Sequence, residues 1–319
     1  MEMITLEAVE SFFPDRTVTV EERAAELGLN PAQTHMFRRI HGLDRMHYDP
    51  DLSLYDLVLP AARKALSQVD PRSVRYLIYC HALHGGRSVG PETAQDIKRL
   101  LGLENATTFA LTQQNCAITL SAIDVAGTLL RADGDPEARA LVVTGDKPRH
   151  RAAQLVMNTC VVGDGSASAL VAWNGSGTAV RSFVTRTRGE FSDGMMSSPA
   201  LIRAESEMRP RLMVEVMREA ADRAGCTLDD IQVVIAPNPN TTLWQDTIKD
   251  EALRSKFFFD NIPRYSHCLA SDVLINYVTL GEEKRFEPDR PAMFVAIGVG
   301  MTFSAMVFTP SSNTGGPRS

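Results

Sequence analysis

One stretch constrains this chain more than any other. In residues 113–130, QQNCAITLSAIDVAGTLL, a cysteine stands directly ahead of a run that is almost wholly apolar or small. A surface helix shows a polar face. Ala117, Ile118, Leu120, Ala122, Ile123, Val125, Ala126, Leu129 and Leu130 leave almost none, so the sequence predicts a buried helix with Cys116 at its amino end. The unpaired N–H groups of a first helical turn and the positive end of the helix dipole favour a thiolate there and offer donors to an oxyanion. The plainer reading is a small apolar filler, since cysteine is among the most buried residue types.

At 319 residues the chain is long enough for two domains. Its 44% hydrophobic and 23% charged content are those of a soluble globular protein. No uninterrupted apolar run is long enough for a membrane span. The start, MEMITLEAVESFFPDR, lacks the basic head and apolar core of a signal peptide and reads as a first strand, so a cytoplasmic protein is expected. A net charge of -6 argues against a general nucleic-acid binder. Cys80, Cys116, Cys160, Cys226 and Cys268 are scattered without a CxxC pair, which suits reduced thiols and gives no zinc signature.

Along the chain, residues 3–13 read as a strand. Residues 20–41 read as two short helices broken at Asn30 and Pro31. Arg38, Arg39, His41 and Arg45 cluster there, as a solvated surface or as a phosphate-contacting rim. A helix over 52–69 precedes a buried strand over 75–81 and a loop opening at His84. A helix over 92–103 and a strand over 107–111 lead to Cys116. A strand over 140–144 and the segment CVVGDGSASALVAW, with its Gly-Asp-Gly turn, follow. The second half repeats the rhythm: a strand over 178–188, a helix over 209–224, a strand over 231–236 running into PNPNTTLW, a loop around His267 that becomes a helix by residue 280, and a closing hairpin over 292–309. The tail SSNTGGPRS has a disordered composition. Alternating strands and helices predict an α/β protein, with an internal duplication as halves 1–173 and 174–319.

The cysteine helix at CAITLSAIDVA, the GDGSASALV turn and strand, the PNPNTT and SHCLASD loops and the closing GVGMTFSAMVF together resemble the β-ketoacyl carrier-protein synthase III group of the thiolase superfamily. The resemblance implies a duplicated five-layer α/β/α/β/α thiolase fold, normally a homodimer. It also implies acyl groups delivered by coenzyme A or by a carrier protein on a phosphopantetheine arm, with no permanently bound cofactor. At the position of Cys116 the family acylates a cysteine, and a histidine and an asparagine complete the site. Here the chain departs. The family's histidine loop is Pro237, Asn238, Pro239 and Asn240 in this chain, and its asparagine loop carries His267 instead.

By resemblance, Cys116 supplies the nucleophilic sulfur and one oxyanion N–H, and Val299 the second. His267 is the general base. Asn238 is the candidate for orienting it, with Asn240 and Asp272 as rivals. Arg38, Arg39 and Asn240 are candidate contacts for coenzyme A or carrier phosphate, with Arg149 and Arg151 as second candidates. Met195 and Met196 are candidate tunnel residues, and Gln113, Gln114 and Asn115 crowd the thiol with polar groups. Decarboxylative condensation needs an enolate held by two hydrogen bonds, and Pro237 has no donor. The expected activity is therefore acyl transfer to a hydroxyl, amine or thiol, as in secondary metabolism. Condensation with a malonyl thioester ranks second and a non-catalytic subunit of a heterodimer third.

Overall fold

In a computed structural model, residues 2–83, 90, 92–156 and 158–311 are described. The expected loop opening at His84 and the tail after Ser311 lie outside them. Strands β1 (Ile4–Phe12), β2 (Val74–Cys80), β3 (Thr107–Leu111), β4 (Arg139–Gly145) and β5 (Ser166–Trp173) are followed by β6 (Thr178–Thr187), β7 (Val234–Ile235), β8 (Phe257–Phe258), β9 (Ala292–Gly298) and β10 (Thr302–Thr309). They hydrogen-bond in the order β8-β7-β9-β10-β6-β1-β5-β4-β2-β3. Read outward from the centre, the first five strands and the last five follow the same path, first-fifth-fourth-second-third. The pattern of parallel and antiparallel pairs also matches. The two sets meet where β1 and β6 pair antiparallel through Ile4↔Val180, Thr5↔Ala179 and Leu6↔Thr178.

Strands buried on both faces read as continuous apolar runs rather than alternating ones. RALVVTG in β4 and AMFVAIG in β9 are such runs, and nearly every residue in them is buried. Three layers of helix account for this. Helix α1 (Leu54–Leu66), capped by Ser53 and Asp56, packs Val58 and Ala62 on Leu77, Tyr79, Leu141 and Val143, with α2 (Thr93–Leu101) beside it. Helix α3 (Ile118–Asp133) lies between the two sets of strands. Helix α4 (Pro199–Arg223) packs Met213, Val216 and Met217 on the far side of the second set, and α5 (Thr241–Thr247) follows it. Helix α6 (Asp272–Glu282) joins α3 in the centre, where Leu120, Ile123, Leu274 and Ile275 share a core with Ile78, Val142, Ala296 and Met306. The result is the α/β/α/β/α thiolase architecture, with the cysteine helix inside.

The helices Val20–Ala24 and Pro31–Arg39 begin at complete capping boxes, Thr19 with Glu22 and Asn30 with Gln33, which is why the chain breaks at Asn30. Two boundaries differ from the sequence reading. Helix α4 starts at Pro199, not near Arg209, because Ser198 caps it and Pro210 sits inside it; its first turns are largely exposed and show no apolar stripe. The strand expected over 231–236 shrinks to Val234–Ile235. No helix among the described residues is long and apolar enough to cross a membrane.

Candidate active site

Cys116 stands in a single turn of 3-10 helix, Asn115–Ala117, between β3 and α3. The chain reaches that turn through two residues in the left-handed region, Gln113 at φ 75° and Asn115 at φ 48°, a conformation that asparagine tolerates better than most residues. Gln114 Oε1 accepts from Ser121 Oγ at 2.6 Å, and Asn115 Nδ2 donates to the Val299 carbonyl at 2.6 Å. None of Gln113, Gln114 and Asn115 lines the cavity beside the thiol. They build the turn and tie it to the loop after β9, rather than lining the cavity. At Gly298 a Cβ would lie 1.9 Å from the Gln114 carbonyl oxygen, so that strand end and the cysteine turn touch backbone to backbone.

His267 is placed by another close approach. Its loop runs beside Val162, with Gly163 N–H donating to the His267 carbonyl at 3.0 Å and Ser266 Oγ to the Val161 carbonyl at 2.5 Å. The glycines of the Gly-Asp-Gly turn permit this. A Cβ on Gly163 would meet the Tyr265 carbonyl at 2.7 Å, and one on Gly165 the Cys268 sulfur at 2.6 Å. Between them Asp164 pairs with buried Lys147. Nε2 of His267 thereby comes 3.3 Å from Cys116 Sγ, and Nδ1 lies 2.5 Å from Asp272 Oδ2. The carboxylate is itself held, accepting the Cys268 N–H at 2.7 Å and the Asn238 N–H at 2.6 Å.

The residue that orients the imidazole is therefore Asp272, at the first turn of α6, and not Asn238. The Asn238 side chain donates to Asn276 Oδ1 at 3.1 Å and accepts from Asn276 Nδ2 at 2.8 Å, in a buried asparagine cluster completed by Asn261; only its backbone reaches Asp272. Asn240 lines the cavity, but its Oδ1 caps α5 at Leu243 N and its Nδ2 donates to the Thr159 carbonyl.

Burial alone would lower the His267 pKa, but Asp272 first, then the Cys116 and Cys160 sulfurs, outweigh it and hold it well above its ordinary value. Cys160 lines the same cavity, where burial pushes its thiol up to about 11. Burial likewise raises Cys80, Cys226 and Cys268. Cys116 is the cysteine set against an imidazole that a carboxylate anchors.

Cys116, His267 and Val299 line one cavity of about 320 Å³, with Pro237 and Trp244 on one side and Phe191, Leu201, Glu205 and Arg209 on another. The Trp244 indole donates to the Pro237 carbonyl at 2.9 Å. Arg38 and Arg39 are elsewhere: they line a separate hollow with Glu21 and His35, and Arg38 pairs with Glu21 and Asp44 at 2.5 Å each. That segment meets the cavity wall at its end, where His41 Nδ1 lies 3.2 Å from Thr242 Oγ1 and the Ile40 carbonyl accepts from the same hydroxyl at 3.1 Å. Arg151 donates to the Gly28 carbonyl, Met196 is exposed and does not line the cavity, and the Met195 side chain lies outside the described ones. The sequence reading missed Glu205 and Arg209, whose spacing is that of an ordinary surface helix pair, and Cys160, which carried no motif.

Residues 221–309 match the family described as 3-oxoacyl-acyl-carrier-protein synthase III, C terminal. The β-ketoacyl-acyl-carrier-protein synthase III of Erythrobacter litoralis is 25% identical over 314 residues, spanning 92% of this chain and 95% of that protein. These matches support a β-ketoacyl synthase III-like member of the thiolase superfamily. Solved structures agree on the fold of this synthase III-like protein. The acyltransferase ChlB3 superposes with a TM-score of 0.84 at 21% identity, covering 98% of this chain and 99% of that one. The 3-oxoacyl-acyl-carrier-protein synthase III of Aquifex aeolicus superposes with a TM-score of 0.79 at 17% identity, covering 96% and 99%. OleA of Xanthomonas campestris, with bound lauric acid and lauroyl-CoA, superposes with a TM-score of 0.78 at 16% identity, covering 96% and 99%. The protein is an acyl-transferring or condensing enzyme of that superfamily.

Proposed function

We propose that this protein is an acyltransferase that takes an acyl group from a coenzyme A or carrier-protein thioester onto Cys116 and passes it to a hydroxyl, amine or thiol. The observation that carries the reading is the continuous chain from Cys116 Sγ through His267 to Asp272. The sulfur attacks the thioester carbonyl as the thiolate, its proton already held on His267 Nε2. The carbon–sulfur bond to the donor breaks, and the departing thiolate takes up that proton. In the second half the acceptor gives its proton to His267, its heteroatom bonds to the acyl carbon, and the Cys116 thiolate is released. Asp272 keeps one imidazole tautomer and stabilises the imidazolium of each half. Val299 and the Cys116 backbone are the proposed oxyanion donors.

Each step needs one general base and no enolate. Pro237 lines the cavity without an N–H, and its carbonyl is taken by Trp244. A decarboxylating site gains nothing there, whereas a transferase loses nothing. Losing one oxyanion-type donor typically costs about a hundredfold to a thousandfold. Condensation is the second reading, favoured by the synthase III name of the relative that shares 25% of its residues.

Incubation with short acyl-CoA thioesters and intact mass measurement test the proposal. We expect an adduct of one acyl group, absent in Cys116→Ala. Carbon dioxide release from malonyl-CoA added to the acylated protein, at a rate matching transfer, would reject transfer in favour of condensation. Sedimentation of the full chain tests the expected homodimer.

A further inference from the structure

Glu205 and Arg209 face the cavity from successive turns of α4, with side chains 17% and 13% exposed. They form an ion pair at 3.3 Å, yet Glu205 Oε1 and Arg209 Nε are buried without a hydrogen-bond partner among the described residues. Burial raises the Glu205 carboxyl above its ordinary value, and Arg209 and the Ser206 side chain offset this only in part. Arg209 makes no hydrogen bond to any described residue, so a planar fork of donors is left over beside one acceptor. Pro210 follows directly and has no N–H to return to the Ser206 carbonyl, which leaves that oxygen of a cavity-lining residue without its helical donor. Buried polar atoms without partners are costly. A wall this undersatisfied, in the cavity that holds Cys116 and His267, is complete only with a polar occupant.

The charge balance decides which occupant. The pair is neutral overall, Asp246 is paired with Lys249 at the exposed rim, and the His267 imidazole is already matched by Asp272. Burial lowers the His41 pKa, so that ring adds no cation. An anionic ligand gains Arg209 but meets Glu205 and Asp246. A neutral group bearing neighbouring hydroxyls donates to Glu205 and accepts from Arg209, satisfying both. We infer that the acceptor is a neutral molecule with at least two hydroxyls, one attacking the acyl-enzyme and another held by Glu205 and Arg209.

This inference rests on the acyl-transfer reading above. In its test, the full-length protein is acylated with acetyl-CoA or butyryl-CoA. Discharge of the adduct is then followed by mass with glycerol, propan-1-ol or glycerate at equal concentration. A site built to hydrogen-bond a hydroxyl discriminates strongly against analogues lacking it, so glycerol should discharge the adduct at least about tenfold faster than propan-1-ol. Glycerate should be slower than glycerol. The ratio of glycerol to propan-1-ol should fall towards one in Arg209→Met and in Glu205→Gln. A ratio of one in the unaltered protein, a preference for glycerate, or a ratio that neither variant changes would overturn the inference. Should one variant fail to fold, the other and the ranking in the unaltered protein decide it. If both variants instead slow acylation by 3-hydroxybutyryl-CoA and leave discharge alone, the pair reads the acyl group and the acceptor assignment is wrong. No adduct with any thioester would remove the transfer reading itself; an adduct discharged without preference would remove only this one.

Discussion

Asp272 is fully buried and accepts two backbone N–H groups besides His267, so replacing it by asparagine keeps the shape and removes the charge. By analogy with the serine-protease aspartate, Asp272→Asn should lower single-turnover transfer by about a thousandfold to ten-thousandfold. Asn238→Ala, whose backbone donor to Asp272 is retained, should lower stability more than transfer, which melting and transfer rates separate. The raised His267 pKa sets a second expectation. A folded-state pKa above the unfolded value means that the charged imidazole's stabilisation is complete below about pH 6.5 and fades as pH rises through the folded value. The melting difference between the unaltered protein and His267→Gln should therefore shrink from pH 6 to pH 10. A constant difference would count against the charged pair. With four thiols raised by burial, iodoacetamide at pH 7 should label Cys116 first, as peptide mapping would show. That Cys116 and His267 would come together was legible in the sequence through the resemblance, and the two side chains do meet. The choice among Asn238, Asn240 and Asp272 was not, because it depends on which side chain turns toward the imidazole, and Asn238 turns to Asn276 instead.

Elements were legible where one face is apolar or a cap is explicit. The buried α3, the capped helices before residue 40 and the closing hairpin are examples. Helix α4 was half legible: its inner turns carry Met213, Val216 and Met217, whereas its outer turns border the cavity and reach the core only through the partly buried Leu201 and Met208. Arg38 and Arg39 looked like a phosphate rim because sequence shows charge but not its partners, and Glu21 and Asp44 supply them for Arg38. The junction of β9 with the cysteine turn was invisible, since it is a backbone approach between residues far apart in the chain. Gly298→Ala tests it. With the Gln114 carbonyl 1.9 Å from the new Cβ, the strand end or the turn has to move. A loss of about 1–3 kcal/mol is expected in denaturant melts, together with slower acylation of Cys116.

Across the whole molecule, the repeated strand path leads us to propose the halves 1–173 and 174–319 as structural units of a duplication. They are not expected to fold apart. The central core draws Leu120 and Ile123 from one half and Leu274, Ile275, Ala296 and Met306 from the other, and Thr119 Oγ1 donates to the Ala270 carbonyl across the seam at 2.6 Å. Residues 1–173 expressed alone should give no cooperative melt, with structure returning on co-expression of 174–319. A cooperative melt of either piece would show that the seam contributes little.

His267 and Asp272 lie five positions apart on one short segment, whereas Glu205 and Arg209 sit on a different helix that reaches the same cavity. On the proposed reading, proton handling and choice of partner molecule are written on separate pieces of chain. Rewriting the outer turns of α4 would redirect the product while leaving the reactive sulfur and its proton carrier as they are.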